Sequence, residues 1–334
     1  MRIHVKPLTA AAGNCPVHPR STSVLHPTQL CSSVRSTFNR VERIGGVTAS
    51  CLRGISQIFL AENALSGLLI LAGIALGSPR LAAGAVLGVA VETLTASVLR
   101  LEGVSRGLHG YNGALVGAAV AASGAPVGPA VTFTIVGALA TIAVHAALAR
   151  IEALPVLTAP FCCVAGLLLG PLHGTWEGVE PAPLPEPSTP AQWITGLGSG
   201  ILRGFSEVVL ADGVLAGVLI IAGLAVASRS ICGFAILGSV FGLGASALLH
   251  PDMQALSTGL LIYPSILVAI AIGAVFWASK SFPLRVCGCL AGVVLAVAVQ
   301  AGMSYLPVPV YTWPFVLSVW IILLLAPRRN KPEE

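Results

Sequence analysis

Two polar side chains, Gln57 and Glu207, stand at matching places in two similar stretches of a chain that is otherwise poor in polar groups. The first stretch is Gly54-Ile-Ser-Gln-Ile-Phe-Leu-Ala-Glu-Asn-Ala-Leu-Ser-Gly67. The second, 150 residues further on, is Gly204-Phe-Ser-Glu-Val-Val-Leu-Ala-Asp-Gly-Val-Leu-Ala-Gly217. Gly, Ser, Leu, Ala, Leu and Gly recur in register, and Gln57 is answered by Glu207. An amide and a carboxyl group both offer hydrogen bonds, and the pair reads as two groups facing one another across a pore. Other residues with chemical potential are scattered. Glu92, beside Thr93 and Thr95, lies within an apolar run, and its repeat position is Gly242. It reads either as a pore or proton-handling group or as a bonded structural carboxyl at a helix or subunit contact. His109 and His145 read as core or interface histidines. An enzyme site would need Glu92, His109 or His145 to converge with a nucleophile, which the repeat does not predict. The eight cysteines include adjacent Cys162-Cys163, and Cys287 and Cys289 two apart. Neither spacing resembles a zinc site, so no metal or cofactor is expected. No Walker or Gly-x-Gly-x-x-Gly pattern is present.

The elements that must position these residues are set by composition. Of 334 residues, 55% are hydrophobic and 9% charged, against about 25% charged in soluble domains. This is the balance of an integral membrane protein, with the lipid bilayer as its solvent. A backbone in lipid must satisfy its own hydrogen bonds, as helices or a closed barrel. The Leu-, Ala-, Val- and Gly-rich runs lack the alternation of barrel strands, so the fold class is all-α. The net charge of +5 is scattered over the ends of apolar runs, with no basic stripe for nucleic acid.

Residues 1–45 carry Arg2, Lys6, Arg20, Arg35 and Arg40, with no acid before Glu42. This reads as a disordered basic tail. A cytoplasmic tail or an over-extended start of translation fits it better than an organelle transit leader. Five apolar runs follow, at about 64–78, 81–100, 108–123, 130–149 and 156–172. A proline-rich link, 173–192, separates them from five more at about 214–228, 231–249, 259–278, 284–303 and 311–326, and 327–334 forms a tail. The halves are thus 46–172 and 193–326. Each opens with a short element, 52–62 or 202–212, too short to cross a bilayer and read as a re-entrant half-helix. Ala85-Val-Leu-Gly88 answers Ala235-Ile-Leu-Gly238, and Tyr111 answers Tyr263. Five crossings per half is odd, so the second half must enter from the opposite side, as an inverted repeat does.

Positive charge orients the spans. With the N-terminus inside, inner loops hold Arg100, Arg106, Arg150, Arg229, Lys280, Arg285, Arg328, Arg329 and Lys331. The outer connections at 124–129, 173–192, 250–258 and 304–310 hold no Lys or Arg, and only Arg80 and Arg203 disagree. Ten spans with both termini cytoplasmic are expected.

The opening stretch, together with Gly107-Leu-His-Gly-Tyr-Asn-Gly-Ala-Leu-Val-Gly117 and Leu154-Pro-Val-Leu-Thr-Ala-Pro-Phe161, resembles the urea transporter family, bacterial urea channel type, over about residues 45–326. The resemblance implies ten spanning helices with two half-helices, a homotrimer with one pore per subunit, a plasma (bacterial inner) membrane location, and passive flow of urea. It assigns Gln57 and Glu207 to the pore as acceptors for urea N–H groups. The candidate solute contacts are Gln57, Glu207, Leu60, Leu210, Phe161, Phe315 and Ser318. The chain departs from the family's pattern in several places. Asn63-Ala-Leu-Ser-Gly67 stands for Asn-Pro-x-x-Gly. Leu60 and Leu210 stand where slot aromatics are expected. Asn112 has no counterpart in Leu260-Leu-Ile-Tyr-Pro264. After the Pro-Phe pairs, where threonines are expected, stand Ala165 in the first half and Ser318 or Val319 in the second. The same fold could pass ammonia, a short-chain amide or water. The residues are also compatible with a polytopic membrane enzyme and with a non-conducting member of the family.

Overall fold

In the computed structural model, residues 45–172, 175–176, 189–249, 252–306 and 309–326 are described, and all their regular elements are helices. Residues 1–44 of the basic stretch, most of the 173–192 link and the 327–334 tail lie outside the described residues. The first half comprises α1 (45–57), α2 (Ala64–Gly77), α3 (Pro79–Val98), α4 (Tyr111–Ala122), α5 (Val127–Leu148) and α6 (Ala159–Leu169). The second comprises α7 (Pro190–Glu207), α8 (Val214–Ala227), α9 (Arg229–Leu249), the short α10 (Met253–Thr258), α11 (Tyr263–Ala269), α12 (Phe282–Met303) and α13 (Trp313–Leu325). Among the described residues, α3, α5, α9 and α12, of 20–22 residues, are long and apolar enough to cross a membrane. Six further apolar helices are shorter.

The short elements of each half end earlier than their sequence implies. α1 stops at Gln57 and α7 at Glu207, so neither 52–62 nor 202–212 is a single helix. Both helices close with the same pair of backbone bonds: Leu60 N–H to Gln57 O (2.9 Å) with Ala61 N–H to Ser56 O (3.2 Å), and Leu210 N–H to Glu207 O (3.0 Å) with Ala211 N–H to Ser206 O (3.0 Å). This is a Schellman closure, in which the turning residue adopts the left-handed conformation usually reserved for glycine. Here it is leucine, at φ 57° for Leu60 and 59° for Leu210. The serine one turn back latches each break. Ser56 Oγ lies 2.5 Å from Ala61 O and accepts from Asn63 N–H at 3.1 Å, while Ser206 Oγ reaches Gly213 O at 3.1 Å. Asn63 caps α2 by accepting from Ser66 N–H at 2.9 Å. Gly213 cannot do so for α8, and Asp212 pairs with Arg203 at 3.3 Å instead.

After each break the chain folds back tightly. A Cβ built at Gly67 would lie 1.8 Å from the Leu52 carbonyl, and one at Gly217 1.9 Å from that of Leu202. Over 51–70 and 201–220 the pattern of buried and exposed residues coincides at every position but one, Gln57 being buried and Glu207 half-buried. The halves meet along α2 and α8. Gly73 packs on the Ala216 carbonyl, Gly223 on that of Ser66, and Gly77 on that of Asp212. The contact order reverses along the second helix, so the two helices run antiparallel, and the pair 66/73 meets its own counterparts 216/223 crosswise.

α11 passes without a break into a π-helical turn, Ile270–Phe276. Widened turns of this kind leave carbonyls for other donors. Arg285 donates from Nε to Gly273 O (2.6 Å) and from its guanidinium to Ser230 Oγ (2.8 Å), with its charge over the Phe234 ring at 4.8 Å.

Candidate functional site

Two cavities adjoin the two breaks. The first, of about 360 Å³, is lined by Gln57 and Leu60 with Arg106, His109, His145 and Phe315. The second, of about 560 Å³, is lined by Glu207 and Leu210 with Ser246, Tyr263, Gln300 and Tyr311. The π-helical turn delivers Val275 and Phe276, from the second half, to the wall of the first cavity. Gln57 Nε2 donates to Arg106 O at 3.1 Å, which leaves the amide oxygen without a protein donor among the described residues. At the rim, Glu62 and Arg106 form an exposed ion pair through two of the three guanidinium nitrogens. The hydrogen bond to Glu62, reinforced by its charge, pushes the Arg106 guanidinium further into its charged form.

Where Thr158, in the wall of the first cavity, meets Thr312, next to Tyr311 in the wall of the second, the two halves touch through side chains. Thr158 Oγ1 and Thr312 Oγ1 lie 2.7 Å apart, and Cys162 Sγ is 3.0 Å from Thr312 Oγ1. Both threonines precede a helix, α6 or α13, yet neither spends its hydroxyl on a cap. Two helix N-termini, the positive ends of their dipoles, therefore flank this contact, while the C-terminal ends of α1 and α7 carry Gln57 and Glu207. The loops entering α6 and α13 turn through a second pair of left-handed residues, Leu157 (φ 49°) and Tyr311 (φ 45°). Their carbonyls accept from the hydroxyls of Tyr111 (2.7 Å) and Tyr263, which are themselves repeat counterparts. Non-glycine residues held at positive φ cost about 1–3 kcal/mol each and cluster at functional sites. Here two of them, Leu60 and Leu157, line the first cavity and two, Leu210 and Tyr311, line the second.

The expected contacts divide. Gln57, Leu60 and Phe315 border the first cavity, and Glu207 and Leu210 the second. Phe161 is buried and lines neither of these two, but its ring stands edge-on to Tyr311 at 5.1 Å. Ser318 is buried one turn beyond Phe315, lines neither cavity and has no partner for its hydroxyl among the described residues. The hydroxyls that do meet at the centre precede each Pro-Phe pair instead of following it. The sequence carries a sign of them: Thr158-Ala-Pro-Phe161 recurs as Thr312-Trp-Pro-Phe315, 154 residues on. The six cysteines among the described residues are free thiols.

Glu92 has a structural task. It is fully buried, and its Oε2 accepts from Gly113 N–H at 2.5 Å. Gly113 is the third residue of α4, whose N-cap, Gly110, has no side chain to offer, so a carboxyl from α3 caps α4. In the second half Gly242 leaves room for Ser265, and Pro264 in the first turn of α11 removes one orphan N–H. We expect Glu92→Ala to lower stability by about 2–3 kcal/mol, from an orphaned N–H and a small cavity. Solute flux per folded molecule should stay within twofold, as thermal melting and flux of the same preparation would show.

Apolar helices, four of them long enough to cross a membrane among the described residues, are those of an integral membrane protein, and two cavities lie beside its paired helix breaks. A family model described as urea transporter matches residues 48–327, and the chain belongs to the urea transporter family. Among its curated relatives, urea transporter 1 of goat is 28% identical over 295 residues, covering 83% of this chain and 76% of the relative. The sheep protein gives the same figures. The rat protein is 28% identical over 292 residues, covering 82% of this chain and 76% of that protein.

Proposed function

We propose that the protein is a passive channel conducting urea down its gradient, along a path from the first cavity, past Thr158 and Thr312, to the second. The observation that carries this reading is the pair of equivalent breaks, each with one polar side chain and one left-handed leucine lining its own cavity, and a hydroxyl–hydroxyl contact beside residues of both cavities supports it. Urea is planar and neutral, with four N–H donors and one carbonyl. Gln57 and Glu207 offer oxygens to its N–H groups in turn, and the hydroxyls of Thr158 and Thr312 bridge the step between them. Leu60, Leu210 and the rings of Phe161 and Phe315 confine its plane. A stepwise exchange of hydrogen bonds is close to neutral in free energy, whereas an ion finds no substitute here for its hydration shell, which is how lining groups and width select. No reaction on the solute is proposed. Glu92 is committed to capping α4 and lines neither cavity, so an enzyme built on it would lack its acid.

We read the chain as ten spans. Fourteen residues of helix reach about 21 Å, short of a hydrocarbon core of about 30 Å. The irregular turns before α2, α6, α8 and α13 make up the difference where they border cavities, the place membranes tolerate them. The antiparallel crossing of α2 and α8 supports an inverted repeat, with α1 and α7 as its re-entrant elements. The first cavity, with Glu102, Arg106 and Pro155 at its rim, then opens to the cytoplasmic side. The second, with Asp252 and Ser304, opens to the other. The family relation supports a homotrimer with one pore per subunit in the plasma (bacterial inner) membrane.

The test is urea flux into proteoliposomes by stopped-flow light scattering, with ammonia, acetamide and water as comparison solutes. Gln57→Ala and Glu207→Ala should each reduce urea flux about 5–10-fold, the worth of one hydrogen bond to the solute. Wild-type urea flux no greater than that of protein-free liposomes overturns the reading.

A further inference from the structure

The wall of the first cavity contains a histidine pair that urea passage does not use. His109, just before α4, and His145, on α5, have ring centroids 4.8 Å apart at an interplanar angle of 45°. His109 is 8% exposed, and its Nε2 lies 3.1 Å from the Glu102 carbonyl. A carbonyl only accepts, so Nε2 carries the proton and Nδ1 presents a lone pair. That Nδ1 is buried without a partner among the described residues, and so is the Nδ1 of His145. An orphaned ring nitrogen in a protein interior is costly, and two of them on rings whose centroids lie 4.8 Å apart fit a shared partner that accepts a lone pair from each.

We propose that His109 and His145 together hold one divalent late-transition-metal ion, of the Zn²⁺, Cu²⁺ or Ni²⁺ class, and that the bound ion obstructs the first cavity. Two imidazoles on one such ion, each nitrogen about 2.0–2.1 Å from it, place their ring centroids about 5 Å apart. A ligating histidine characteristically donates its other N–H to a backbone carbonyl, as His109 does to Glu102. Imidazole nitrogen selects these metals over Mg²⁺ and Ca²⁺, which demand oxygen. The cavity leaves space for water at the remaining coordination positions, and among the described residues no third His, Cys, Asp or Glu joins the pair. With two protein ligands the site is open and exchangeable, unlike a closed structural zinc site. The ion would sit in the cavity that Gln57 lines, so occupancy and solute passage compete. The site itself does not depend on which solute the pore carries.

The experiment is calorimetric titration of the purified, tag-free protein in detergent with ZnCl₂, paired with urea flux in proteoliposomes holding Zn²⁺ on both faces. Wild type should take up one Zn²⁺ per chain, and its flux should fall at least tenfold and recover with chelator. His145→Ala and His109→Ala should each weaken binding at least tenfold, with the double variant no weaker than either, because both ligands serve one ion. His145 is half-buried, so its variant keeps the test valid if the His109 variant fails to fold. No uptake by wild type, or uptake undiminished in His145→Ala (the ion then lying on thiols or on His4, His18 or His26), overturns the site. Uptake with unchanged flux overturns the obstruction. Flux measured without Zn²⁺ judges the urea reading separately.

Discussion

Thr312→Val should reduce urea flux at least tenfold while Thr312→Ser keeps it within about threefold. The hydroxyls of Thr158 and Thr312 bond one another at 2.7 Å, so on the path proposed above a solute comes between them. In wild type that costs one hydroxyl–hydroxyl bond and gains two bonds to the solute. Valine has the same shape and no hydrogen-bonding capacity. It deprives the passing solute of one partner in a water-poor passage, about 1.4 kcal/mol or more, and each 1.36 kcal/mol on the barrier is a factor of ten in rate. Thr158 and Cys162 also lose their neighbour, but both remain packed, so melting should shift by only a few degrees. Stopped-flow flux of the two variants decides the matter. Flux of the valine variant within twofold of wild type would place the rate-limiting step elsewhere.

The largest effect on folding should come from the smallest change, Gly217→Ala. The new Cβ would stand 1.9 Å from the Leu202 carbonyl, and both atoms belong to backbone that no rotamer change can move. Relieving the overlap requires α7 and α8 to part, which undoes the Schellman closure, the Ser206 latch and the seat of α8 against α2. Overpacking usually costs about 1–3 kcal/mol. Backbone against backbone at this distance belongs to the exceptional class above about 4 kcal/mol. We expect loss of the monodisperse species on size-exclusion chromatography in detergent. Gly67→Ala, 1.8 Å from Leu52 O, should behave alike, and Gly233→Ala, with nothing within 4 Å, should be silent. A Gly217→Ala variant that melts within a few degrees of wild type would refute the close approach.

The duplicated frame is legible in the sequence because its constraints are local. A glycine that admits a carbonyl, a serine that latches a turn and a tyrosine that holds a strained carbonyl each leave a residue type at a fixed place. Gln57 and Glu207 are therefore readable as a pair. The ends of α1 and α7 are not, because the usual stop signal, glycine in the left-handed position, is leucine at 60 and 210. Without it, 52–62 and 202–212 read one turn too far. The start of α7 is announced by Thr189 and Gln192, a reciprocal capping box, but prolines around it give the segment the look of a link. Thr158 and Thr312 do not stand out, because the family resemblance points to positions after Pro-Phe. The approach of His109 to His145 has no sequence sign at all. It joins two elements 36 residues apart whose packing only the assembled α3–α5 layer determines.

The two leucine breaks have one further consequence. Each is defined by backbone bonds and by a serine four residues upstream, so the side chain at the turn takes no part in making it. Glycine there would relax the backbone but leave a gap in the wall. Any bulky residue not branched at Cβ serves the turn much as leucine does, whereas valine, isoleucine or threonine would be more strained at this φ. Positions 60 and 210 thus behave as interchangeable tiles set into a fixed frame. The width of each cavity can be retuned there, toward aromatics or away from them, without refolding the protein, and the two cavities can be retuned independently.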